Sequence, residues 1–261
     1  MATGQARPDW RDAAAYRPLL GADRSLVAWE WLRRDPAYRA VARAGPQSPG
    51  DGPGQWGLHA FEVPDAAVPH ARPVWRAHVH PWVLSADARR LDLHGDRKDR
   101  ATGNGTDVFD LTRLAVGAHV VRSGPAERLL LTDGLRTIRL DILSGTVTGG
   151  PVRLHYRLAG LEGALAPLLT LRRLIDLCSG GGFAASLHRP EARARRWIAL
   201  LRAHDALAAG AAQREIASTL LARSALEPGW RICSPSLRLQ AQRLVRGARA
   251  MAAGGWWVLL R

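Results

Sequence analysis

Residues 128–142 read Arg-Leu-Leu-Leu-Thr-Asp-Gly-Leu-Arg-Thr-Ile-Arg-Leu-Asp-Ile, an apolar run and an alternating run separated by Asp133-Gly134. Such a pair is a hairpin signal, because glycine supplies the positive φ that a tight turn between strands demands. A hairpin here limits the folds open to the chain, since both of its distant flanks carry the 3.6-residue apolar spacing of helices. From Pro73 to about Leu158 the β-type pattern recurs at Val74–His80, Val108–Leu111, His119–Arg122, Arg128–Leu131, Thr137–Ile142 and Val152–Leu158. The expectation is an α+β fold with a small N-terminal helical module, a central antiparallel β-meander and a C-terminal helix-turn-helix.

Residues 1–8 read as a loose tail. Asp9–Leu20, Asp23–Arg34 and Asp35–Arg39 then read as three short helices, each begun by an aspartate able to cap its first turn. Trp10, Tyr16, Trp29, Trp31 and Tyr38 crowd into this unit. A segment so short builds little core alone, so the aromatics either dock the module onto the remainder of the chain or offer a partner protein an aromatic surface. Docking is the commoner fate of such side chains. Gly45–Gly57 is rich in glycine and proline and reads as a connection. Leu161–Cys178 returns to helical spacing through Leu165, Leu168, Leu169, Leu171 and Leu174, an apolar helix suited to cover the meander, and Ser179-Gly-Gly-Gly182 ends it. The expected divisions are a Trp-rich helical domain at 1–45, a linker or loop at 46–72, the meander at 73–160, and the covering helix with a variant helix-turn-helix at 161–261.

The last division carries three further helix patterns. The first starts near Pro190, shows Trp197, Ile198, Leu201 and Leu207 at helical spacing, and stops at Gly210. The second runs from about Gln213, with Ile216 and Leu220 one turn apart and the small Ala217 between them. The third opens at Ser234-Pro235, a hydroxyl at the cap and proline at the first helical position. Its Leu237, Ala241, Leu244, Ala248 and Met251 share one side of the helical wheel, and Arg238, Gln242, Arg243, Arg246 and Arg249 the other.

Arginine's planar fork binds phosphate and reads guanine, and glutamine pairs with adenine, so this face has the groups that a major groove requires. Leu239 among them suits a thymine methyl. An arginine-rich face is equally often the solvated side of a surface helix. The gap Ala222–Cys233 exceeds the tight turn expected between the last two helices, so irregular structure anchored by Trp230 is expected to fill it.

Charge weighs between those two readings of the face. The net +14 is uneven: residues 1–45 carry +3, residues 46–185 carry +2, and residues 186–261, with thirteen arginines against four carboxylates, carry +9. Positive charge concentrated on one helical unit is the footprint of a nucleic-acid binder, because each neutralised phosphate releases counterions. Lys98 is the only lysine, which fits coding rich in guanine and cytosine. That bias explains the choice of arginine and leaves the clustering unexplained.

With 261 residues, 47% of them hydrophobic, the chain can bury real cores, and nothing forces disorder on it. Cys178 and Cys233 lie far apart and outside metal-type spacing. His78 and His80 would share a strand face, with His59, His70 and His94 near in sequence, but no acidic or cysteine cluster completes a ligand set. The Ser179–Gly182 run lacks the lysine and hydroxyl of a phosphate loop and follows a helix instead of a strand. There is no nucleophile elbow, zinc-protease helix or dinucleotide fingerprint, so no catalytic residue, metal or cofactor is expected, and the protein is not expected to be an enzyme. An apolar signal core and a bilayer-length run are both lacking, so the expected partners do not include a membrane and the expected location is cytoplasmic.

The run Asp9-Trp-Arg through Tyr38, with Leu201–Gly210, Gln213–Ala217, Ser236-Leu-Arg238, Arg243-Leu-Val-Arg246 and the closing Gly254-Gly-Trp-Trp-Val-Leu-Leu260, resembles one group of proteobacterial regulators, the excision-activator family of integrative and conjugative elements. Members carry a variant helix-turn-helix preceded by a small Trp-rich regulator-like domain. The resemblance implies a transcriptional activator that binds double-stranded promoter DNA and helps RNA polymerase start on genes for element excision or transfer. Relatives consisting of the variant domain alone act as antiactivators by binding the activator, so a small antiactivator protein is a further implied partner. Carried onto this sequence, the DNA-contacting face is Arg238, Gln242, Arg243, Arg246 and Arg249. Ala211-Ala212 departs from the pattern, which places a small hydroxyl residue as the cap before Gln213.

Two functions of different classes follow. One is a DNA-binding transcriptional regulator working through the last helix. The other is a protein–protein interaction module that uses the same fold without specific DNA readout. RNA binding is the weakest reading, because the aromatic positions form no stacking platform on the strands.

Overall fold

The computed structural model describes residues 7–45, 48, 50–91, 108–226 and 229–261, with backbone alone for Leu226, Trp230 and Arg231. The chain forms two compact units whose membership cuts across sequence order. One joins Met1–Gly45, Val63–Pro69 and Pro190–Leu260; the other holds Pro46–Glu62, His70–Arg189 and Arg261.

The second unit is built on a five-stranded sheet in the order β2-β3-β4-β1-β5, with β1 at Val83–Arg90, β2 at Gly117–Ser123, β3 at Ala126–Thr132, β4 at Thr137–Ser144 and β5 at Val152–Arg157. β2, β3 and β4 are the expected meander, paired antiparallel in sequence order. Its β3–β4 turn is the Asp133-Gly134 hairpin: Gly134 takes φ 99°, and Asp133 Oδ1 accepts the amides of Leu135 and Arg136 at 3.0 and 2.7 Å.

β1 enters between β4 and β5, parallel to the first and antiparallel to the second. The sequence hides this strand, because Ser85, Asp87, Arg89 and Arg90 break its apolar run. Close by, Gly145 has φ 78° and sits where a Cβ would come 1.9 Å from the Ala88 carbonyl oxygen, so only glycine fits.

Two expected strands are corrected. Among the described residues Val74–His80 pairs only through Trp75 with Leu58 and then turns, with the amides of Val79 and His80 both donating to the Arg76 carbonyl. Pro73 and Pro81, which lack the N–H a ladder needs, bracket the segment. Val108–Leu111 is reduced to a bridge between Phe109 and Val152, after which Asp110 caps the 3₁₀ turn Leu111–Arg113.

α3 (Leu161–Gly180) covers one face of the sheet. Its Leu174 and Leu177 share a core with Leu84, Leu129, Leu131, Leu140 and Ile142. It ends at Gly181, φ 72°, whose amide caps the Leu177 carbonyl. The opposite face of the sheet carries buried polar side chains: Arg139 meets His80 at 3.4 Å, and Asp141 lies 3.8 Å from His59.

In the first unit, a 3₁₀ helix (Ala14–Leu20), α1 (Arg24–Leu32) and α2 (Pro36–Ala44) pack with α4 (Ala194–Ala208), α5 (Gln213–Leu220), α6 (Trp230–Cys233), α7 (Pro235–Ala252) and a closing 3₁₀ helix, Gly255–Leu260. Among the three expected capping aspartates, Asp35 caps α2 by accepting from Ala37 and Tyr38 amides, whereas Asp23 makes no side-chain cap to α1. Trp10, Tyr16, Trp29, Trp31 and Tyr38 are all buried. Trp10 joins Ala203, Ala206, Ile216 and Ala248 in one core, and Trp31 packs on His204 at 5.5 Å. These aromatics are therefore interior side chains, holding the N-terminal segment to the C-terminal helices.

Candidate nucleic-acid interface

α4 begins at Ala194, four residues after the expected start at Pro190: Pro190 and Glu191 have no regular structure, and Ala192–Arg193 form a turn closed by the Ala194 amide on the Glu191 carbonyl. It stops as expected: Gly210 takes φ 78°, and the amides of Gly210 and Ala211 reach back to the carbonyls of Leu207 and Ala206. α5 starts at Gln213 without a hydroxyl cap. Only the other half of a capping box remains: Glu215 reaches back, its Oε2 accepting the Ala212 amide at 2.9 Å. Ile216 and Ala217 are fully buried.

The gap before α7 holds the 3₁₀ turn Arg223–Leu226 and the short α6; the side chain of Trp230, expected to anchor it, lies outside the described residues. α7 starts at Pro235 as the sequence predicts, but the Ser234 hydroxyl makes no capping hydrogen bond, so proline alone sets the start.

Two small-residue contacts seat α7. Ala241 and Leu237 pack with Ala217 and Ala225. Further along, Gly247 lies on Leu200 of α4 so closely that a Cβ would stand 2.8 Å from Leu200 Cδ2. Leu237, Ala241 and Ala248 are buried, while Leu244 and Met251 are half-buried. With that stripe facing inward, the opposite face points to solvent: Arg238, Gln242, Arg243, Arg246 and Arg249 are all exposed. None of these arginines forms an ion pair with a carboxylate among the described residues. Leu239, within the same face, is 42% exposed.

Beneath this scaffold lies a charged network that sequence reading passed over. Arg34 donates from Nε and Nη2 to the two oxygens of Asp205 in α4, at 2.8 and 2.9 Å, and from Nη1 to Glu30. Tyr16 donates to Asp205 at 2.7 Å, Arg33 to Glu30 at 2.8 Å, and the Val68 amide to Glu30 at 2.9 Å. Burial by itself would raise the Glu30 carboxyl; Arg34 and Arg33 outweigh that and hold it below its ordinary range. The one sequence signal was Asp205 itself, a carboxylate among Leu201, Ala203 and Ala206 on an otherwise apolar helix face.

The histidines considered as metal ligands are not assembled. His78 is exposed on a turn, His80 is buried against Arg139, and His94 lies outside the described residues. Among the described residues no group of three or more His, Cys, Asp or Glu is placed to hold a metal, and no helix is long and apolar enough to cross a membrane. Cys178 and Cys233 are free thiols.

Residues 158–261 match the family model described as a T6SS transcription factor, DNA binding domain. Residues 9–61 match a second, described as a proteobacterial transcriptional regulator-like domain. Both are models of transcriptional regulators. The chain is thus similar at both ends to proteobacterial DNA-binding transcriptional regulators, and the matched DNA-binding segment contains the whole exposed face of α7. No curated protein and no solved structure matches it.

Proposed function

We propose that the protein regulates transcription by laying α7 along the major groove of promoter DNA, with Arg238, Gln242, Arg243, Arg246 and Arg249 as its contacts. The carrying observation is that all five are exposed on one helix face, with no carboxylate ion-paired to its arginines among the described residues, inside the segment that matches a DNA-binding domain. A purely solvated face would serve equally well if interrupted by acidic side chains, and this one is not: α7 contains no Asp or Glu.

Activation is the finer reading, with RNA polymerase as the partner and a small antiactivator as the counter-partner. It rests on the resemblance to excision activators, which points to genes for excision and transfer of an integrative and conjugative element. The matched description points instead toward type VI secretion genes, so promoters of both kinds belong in the test. The competing reading, an interaction module with an aromatic docking surface, is disfavoured by the burial of Trp10, Trp29 and Trp31.

The experiment is a salt series of fluorescence anisotropy on promoter fragments of both kinds, followed by transcription in vitro. Binding that strengthens as salt falls, and that the triple change Arg243→Ala, Arg246→Ala, Arg249→Ala abolishes, supports the proposal. Full affinity in the triple variant would sink it.

A further inference from the structure

The outer side of α3 carries an apolar stripe that the sheet does not use. Leu161 is 93% exposed, Leu165 69%, Leu168 45% and Ile175 56%, although Thr170, Leu174 and Leu177 of the same helix are buried. At about 100° per residue the exposed set falls opposite the buried one. Pro167 falls on the sheet side, away from the stripe. Apart from Glu162, the helix from Leu161 through Leu171 carries no charge, so its first half is apolar nearly all round, which is the pattern of a helix covered on both sides. Next to it, Tyr156 on the edge strand β5 lines a shallow groove with Ile175, extending the apolar surface.

The spacing of the stripe says what kind of element covers it. Positions 161, 165, 168, 172 and 175 step by four and three, the seam of a two-helix coiled coil. Its charges say which helix. Laid antiparallel on a second α3, Leu165 faces Leu168 of the other copy and Leu168 faces Leu165. In that register Arg172 falls opposite Leu161 and beside Glu162 of the other copy. One helix thus carries both halves of each ion pair, and a two-fold axis makes the pair twice, as an isologous interface requires.

We infer that the protein dimerises through antiparallel pairing of α3 with α3 of a second copy. This holds whether or not α7 contacts DNA, so the two proposals fail independently.

The test is sedimentation velocity or light scattering of the full chain across micromolar concentrations. Wild type should reach twice the 28.4 kDa chain mass, and Leu165→Glu or Leu168→Glu should return it to the monomer with an unchanged circular-dichroism spectrum. Glu162→Arg and Arg172→Glu should each weaken association at least several-fold, and the two together should restore it. A wild-type monomer at every concentration would overturn the inference and leave the stripe to a different protein. So would a dimer that persists in the Leu165→Glu variant, or charge reversals that fail to compensate.

Discussion

Arg34 and Asp205, separated by 171 positions in the chain, meet through two parallel hydrogen bonds of 2.8 and 2.9 Å where neither side chain is more than 2% exposed. The pair belongs to the network of Tyr16, Glu30, Arg33 and the Val68 amide, so the N-terminal segment and the helices beneath the candidate DNA face share one desolvated set of charges. Removing one partner leaves the other charged and buried. Asp205→Ala should therefore destabilise the first unit by about 3–5 kcal/mol, as should Arg34→Ala. Urea denaturation checks this, and a loss under 1 kcal/mol would show the network to be dispensable.

The same network predicts how the protein can be cut. A fragment of residues 190–261 lacks Trp10, which fills the core around Ala203, Ala206, Ile216 and Ala248, and it lacks the partner of Asp205. It should give a poorly dispersed NMR spectrum and no cooperative melt. Co-expression with residues 1–69 should recover both, because those residues supply the missing surfaces.

Gly247 permits the close seating of α7 on α4. A Cβ there collides with Leu200 Cδ2 at 2.8 Å, so Gly247→Val should cost about 1–3 kcal/mol through overpacking and shift the whole arginine face. Trimming the opposing side chain in a Gly247→Val, Leu200→Ala double variant should return part of that stability. Strict additivity of the two changes would argue against contact.

On the DNA face, one arginine can be tested for its role. If Arg246 contacts a base, Arg246→Ala should cost about 1–3 kcal/mol on the preferred promoter and relax preference at one position. If it contacts phosphate, the loss should be uniform across sequences and the slope of log K against log salt should flatten by about one. Unchanged binding in either assay removes Arg246 from the interface.

Two histidines of the sheet unit set a pH response. Burial first, then Arg128 and Arg76, lower His59 to about 4; burial, then Arg173 and Arg136, do the same to His188. The unfolded chain takes up protons at these residues below about 6.5, while the folded one does not until about 4. Stability should thus be complete above pH 6.5 and fall as pH drops toward 4, by up to about 1.4 kcal/mol per unit for each histidine. His188→Gln should shallow that slope; an identical profile would show that His188 titrates normally.

The sequence by itself determined the local elements whose causes are local. Asp133-Gly134 made its hairpin because a positive φ favours glycine, Gly210 ended α4 for the same reason, and Pro235 began α7 because proline fits a first turn. It also set which side of α7 faces outward, since the spacing of Leu237, Ala241 and Ala248 is a property of one helix. Tertiary structure alone decided the rest. β1 became a strand through neighbours on both edges, despite the charges that mask it, whereas Val74–His80 bridges Leu58 through Trp75 and then turns on the Arg76 carbonyl. Arg34 found Asp205 and Gly247 found Leu200 across long stretches of chain, because desolvated charge pairing and close packing depend on distances in space that no periodicity along the sequence encodes.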